Sequence, residues 1–138
     1  MTPLRNIDFV SDREEKYMTV KECYALFEGD YEGVLGRLLD EARIRRFLFK
    51  FLEDENFSVL MTAMRDQDVK AAFLAAHTLK GLCANLGFTR LQGAADALTE
   101  ELRAGEWKDF SALQQQMEQA YEEVASALNR FREEGESS

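Results

Sequence analysis

Proline is nearly absent. The chain of 138 residues has one, Pro3, so past the first few positions nothing breaks a helix by removing a backbone donor and crowding the preceding turn. β-Branched residues are sparse and apolar–polar alternation over strand lengths is missing, which excludes a sheet as the organising element. No apolar run is long enough to cross a bilayer, so a transmembrane helix is excluded. Basic charge is in deficit: the formal net charge is −9 and the sequence pI about 4.7. A nucleic-acid partner needs a positive footprint, and an anionic membrane repels an acidic surface, so neither is expected. The opening run MTPLRNIDFVSDREEKY lacks the apolar stretch of a secretory signal. A cytoplasmic location is therefore expected, with Cys23 and Cys83 as reduced thiols. Histidine is as scarce as proline: His77 stands alone, which removes paired-imidazole metal sites and any mechanism that needs two imidazoles.

What is present reads as helix throughout. An apolar fraction of 46% with 31% charge suits a single soluble domain. Ser11–Glu14, Thr19–Glu22 and Thr89–Gln92 fit the reciprocal capping box that opens a helix. Gly29, Gly87 and Gly105 stand where left-handed caps would close one. These signals predict short helices over 19–27 and 31–38, and longer ones over 41–65 (bent around Asp54–Asn56), 68–86, 89–104 and 110–132. Each long segment carries apolar residues at three-and-four spacing, Phe47, Phe51, Val59 and Leu60 in the first, Phe73, Ala76, Leu79 and Cys83 in the second. Short connections then predict an all-α, up-down four-helix bundle over residues 41–132. Residues 1–40 form an extension with short helices packing on the bundle, and 133–138 a frayed tail.

One segment carries chemistry. It runs Ala75-Ala76-His77-Thr78-Leu79-Lys80-Gly81-Leu82-Cys83-Ala84-Asn85-Leu86-Gly87. With Ala76 at the centre of the buried stripe, His77 falls about 100° away, at the border of core and solvent. Cys83 lies roughly 240° around from His77, so the two diverge and a catalytic thiol pair is not expected. Lys80 and Gly81, at i+3 and i+4, share the histidine's face. Glycine in a helix interior costs about 1 kcal/mol against alanine. Clearance explains it: without a side chain at 81, and with only a methyl at Ala84, the imidazole edge is open to a large partner. Lys80 brings a cation to offset the charge of a phosphoryl group. A neutral imidazole is a competent nucleophile near pH 7 without a strong base.

The run His77-Thr78-Leu79-Lys80-Gly81, followed by Asn85-Leu86-Gly87 and Leu91…Ala95…Leu98, resembles the histidine-containing phosphotransfer (HPt) domain family. The resemblance extends from about Phe47 to about Phe131, and the pentapeptide is its specific part. It implies a four-helix bundle whose exposed histidine exchanges phosphoryl groups with aspartates of response-regulator receiver domains. His77 is then the phosphoacceptor, Lys80 its charge stabiliser and Gly81 its access residue. The family's Mg2+ belongs to the receiver, so no metal and no cofactor are expected here. Receiver domains, and a hybrid sensor kinase, are the implied partners. The chain has no room for the ATP-binding kinase domain of longer members, so a phosphoryl carrier without kinase activity is implied, as a monomer.

Simpler readings compete at each position. A lone histidine on an amphipathic helix is usually structural, and a lysine beside it usually solvated; their shared place beside Gly81 is what argues otherwise. Lys70 and Leu74, on the same flank, together with Gly81 and Ala84, are the candidate docking rim. Gln92 is explained by its capping box, Trp107 by packing in the loop before the last helix, and Phe47, Phe51, Phe57 and Phe73 by the core. The alternative function is a helical module that docks on a receiver or kinase and inhibits it without phosphotransfer.

Overall fold

The computed structural model describes residues 17–135; the Ser11–Glu14 capping box lies outside them. The described residues form seven helices and no strand: α1 Val20–Leu26, α2 Tyr31–Leu38, α3 Glu41–Glu53, α4 Asn56–Arg65, α5 Val69–Leu86, α6 Thr89–Leu102 and α7 Ser111–Gly135. The molecule is an all-helical bundle. Local side chains start most of the helices by accepting orphaned amides. Thr19 and Glu22 complete a capping box at α1, at 3.0 and 2.8 Å. Asp30, Asp40 and Asp68 accept from the amides of Gly33, Arg43 and Ala71 at the starts of α2, α3 and α5. The bend expected near Asp54–Asn56 is a full break. Asp54 takes extended backbone and its carboxylate receives the Asn56 amide at 2.9 Å, so the predicted long helix is two.

Three local expectations are corrected. The box at Thr89 does not form: α6 is capped by the backbone of Phe88, whose carbonyl accepts the Gln92 amide at 2.7 Å, so Thr89 is already inside the helix. Gly29 is not a left-handed cap, since Glu28 takes the positive φ of 56°. Its glycine serves close approach instead: a Cβ there would lie 2.6 Å from the Phe27 ring and 2.7 Å from that of Tyr24. Phe47 and Val59 are exposed rather than core. Ile44, Leu48 and Phe51 fill the buried stripe of α3, and Leu60, Ala63 and Met64 that of α4, leaving Phe47 and Val59 on the flanks.

The core is continuous. α4 packs on α5, α5 on α6, α6 on α7, and α7 returns to α1 and α3. Leu48, Leu60, Leu79, Leu91, Leu98, Met117, Leu128 and Phe131 are fully buried between them. α1 and α2 sit at the C-terminal end of α5, where they satisfy the carbonyls a helix end leaves unpaired. Tyr24 donates its hydroxyl to the Leu86 carbonyl at 2.6 Å, and Arg37 Nε donates to the Asn85 carbonyl at 3.1 Å. The Asp30 amide donates to the Gly87 carbonyl at 2.8 Å. Gly87 has φ +74°, and a Cβ there would meet the Asp30 carbonyl oxygen at 2.7 Å. The helix that carries His77 is therefore clamped at its end by the segment that precedes the bundle.

Candidate functional site

α5 offers its surface side chains in a short sequence of turns. Ala72, Ala75, Ala76, Leu79 and Cys83 face inward. Lys70, Leu74, His77, Gly81 and Ala84 are exposed. The imidazole of His77 does not wave freely. It lies parallel to the Phe73 ring, with centroids 5.9 Å apart and planes 8° from parallel. Phe73, one turn earlier, is half-buried, so it is not simply a core residue: one side packs against the interior while its ring underlies the histidine. Leu74, three residues before His77, is 56% exposed, a large apolar side chain left uncovered among the described residues. A Cβ placed on Gly81 meets nothing within 4 Å. The glycine therefore answers no need for room inside the bundle.

The cations are held by α6. Lys80 Nζ lies 2.9 Å from Asp96 Oδ1, so the lysine expected simply to await a phosphoryl group already has a carboxylate partner. Arg103, at the end of α6, places its guanidinium 5.2 Å above the centroid of the same Phe73 ring that underlies His77, a cation–π arrangement. Two hydrogen bonds fix it to Glu100, at 2.9 and 3.3 Å. These bonds hold the Glu100 carboxyl below the usual range and raise Arg103. Neither Arg103 nor Asp96 is marked by a motif. A positional signal does exist: Lys80 and Asp96 are each eight positions from Phe88, and Phe73 and Arg103 each fifteen. A tight connection makes an antiparallel hairpin of α5 and α6, and residues equidistant from it face each other.

The thiols take no part. Cys23 and Cys83 are buried and unpaired, and burial pushes each up to about 12. Among the described residues no group of His, Cys, Asp and Glu is spaced to hold a metal ion, and no helix is long and apolar enough to cross a membrane.

The exposed histidine, the open glycine, the lysine one turn on and the bare apolar neighbour all lie within the span that a family comparison picks out. A family model described as Hpt domain matches residues 46–127, more than half of the chain. The chain belongs to the Hpt domain family. Hpt domains carry out histidine phosphotransfer in two-component phosphorelays, exchanging phosphoryl groups with receiver domains as phosphocarrier modules rather than kinases. No curated protein and no solved structure matches the chain. The matched span takes in α4, α5 and α6 whole and most of α3 and α7. The clamp formed by α1 and α2 lies before it.

Proposed function

We propose that His77 is the phosphoacceptor of this Hpt domain, taking a phosphoryl group from the aspartate of one receiver domain and passing it to another. The exposed imidazole, laid on Phe73 beside the uncovered surface at Gly81, carries the reading. The lone pair of Nε2 attacks phosphorus in line as the P–O bond to the receiver aspartate breaks. The aspartate leaves as a free carboxylate, and Nδ1 holds the ring's proton. Phe73 limits the ring's rotation, so attack geometry is prepared before the partner arrives. Lys80 offsets charge on the incoming phosphoryl oxygens. Leu74, Lys70, Gly81 and Ala84 form the rim on which the receiver docks, Leu74 as its apolar centre. The divalent cation such a transfer uses is supplied by the receiver.

Incubation with phosphorylated receivers tests this. Wild type is expected to take up acid-labile, base-stable label and His77→Gln none. Label that persists in His77→Gln would overturn the site. Tight receiver binding with no label on wild type would leave a docking module in place of a carrier.

A further inference from the structure

Lys80 stands one turn from His77 and Arg103 lies over the Phe73 ring on which His77 stacks, and both cations are already matched. Asp96 holds Lys80 at 2.9 Å, and Glu100 holds Arg103 through two bonds. Asp96 and Glu100 stand at i and i+4 on α6, on one face, and Glu100 feels both Lys80 and Asp96 besides Arg103. The four groups therefore act as one cluster with no net charge. None is sequestered: the Lys80 side chain is 33% exposed and those of Asp96, Glu100 and Arg103 about half.

We propose that Asp96 and Glu100 are positioning residues that compete with the phosphoryl group for Lys80 and Arg103, and so keep phospho-His77 ready to give its phosphoryl group away. The inference rests on His77 as acceptor. A phosphoryl group carries about −1.5 to −2 charge near neutral pH, more than either carboxylate, so it draws the cations toward itself. The two carboxylates remain within reach to take them back. Ion pairs this exposed are weak, which makes the exchange easy in both directions. A carrier needs that balance: cations with no competitor would trap the phosphoryl group, and no cations would leave it unwelcome.

The test uses the full chain and the variants Asp96→Asn, Glu100→Gln and their combination. Two readouts serve. One is the initial rate of labelling by phosphoramidate, whose P–N bond breaks as the new bond to His77 forms and ammonia leaves. The other is the equilibrium ratio of phospho-His77 to phospho-aspartate with whichever receiver labels wild type. Asp96→Asn is expected to raise that ratio about three- to fivefold, the scale of an exposed ion pair, and the combination to raise it further. Phosphoramidate labelling should quicken in the same order. The gain should shrink in 1 M salt, where the screening length falls to about 3 Å, and Asp96→Glu should return the wild-type ratio. A folded Asp96→Asn protein with an unchanged or lowered ratio overturns the proposal, since Asp96 would then hold Lys80 where the phosphoryl group needs it. Failure of wild type to label at all would instead defeat the acceptor reading, and this inference with it.

Discussion

At the scale of single residues, the site depends on side chains that are small, open or shared. Gly81 stands out in the sequence because an interior helical glycine needs a reason, and the empty space around its Cβ direction puts that reason outside the bundle, in keeping with the partner access proposed for it. Gly81→Ala should therefore fold and gain about 1 kcal/mol of stability, the ordinary helix preference, as urea unfolding would show. Gly81→Trp should also fold, yet lose most phosphoryl transfer from a receiver while keeping its labelling by phosphoramidate, a donor small enough to pass the indole. Equal loss with both donors would argue that Gly81 shapes the imidazole rather than the approach. Phe73 was harder to read. Its spacing marks it as core, and only the structure reveals that the ring is shared between His77 and Arg103. The Lys80–Asp96 pair was hidden for the same reason: a side chain's partner across two helices depends on their packing, which no local pattern records.

At the scale of helices, legibility follows how local the determining chemistry is. Thr19 and Glu22 satisfy one another within one turn, so their box could be read directly. Thr89 and Gln92 carry the same pattern and fail, because the left-handed Gly87 brings the chain round one residue early and Phe88 becomes the cap. Gly87 is where local and tertiary demands meet. Gly87→Ala would force a Cβ into a left-handed backbone and against the Asp30 carbonyl, at a cost of about 2 kcal/mol or more. Chemical denaturation would measure it, and a loss below about 0.5 kcal/mol would contradict the close packing of α2 against the end of α5. Tyr24→Phe removes the buried donor to the Leu86 carbonyl, and should cost about 1–2 kcal/mol by the same measurement. Neither residue touches His77, so transfer at temperatures well below unfolding should be unchanged in both variants.

At the scale of the whole molecule, the all-helical character was written in the near absence of proline and in the three-and-four spacing. Which apolar residues lie inside was less legible. Phe47 and Val59 fit the periodicity, but each helix buries a single stripe and their neighbours occupy it. The packed interior makes a further prediction through its thiols. Cys23 and Cys83 are raised to about 12 by burial, against about 9.0 for an ordinary thiol. Above that lower value the unfolded chain releases protons that the folded chain keeps, so stability falls as pH rises through roughly 9 to 12, by up to about 1.4 kcal/mol per pH unit for each thiol. At neutral pH both thiols should resist an aromatic disulfide reagent until the protein unfolds; fast reaction of either in the native state would contradict a closed core.

The central claim is that the imidazole of His77 receives the phosphoryl group, and the chain's single histidine makes that unusually direct to test. Uniformly nitrogen-15-labelled protein gives one imidazole spectrum, with no assignment needed. Phosphorylation by a receiver or by phosphoramidate should shift that spectrum and couple phosphorus to one ring nitrogen, Nε2. An imidazole spectrum that stays unchanged while the protein retains phosphate would contradict the account.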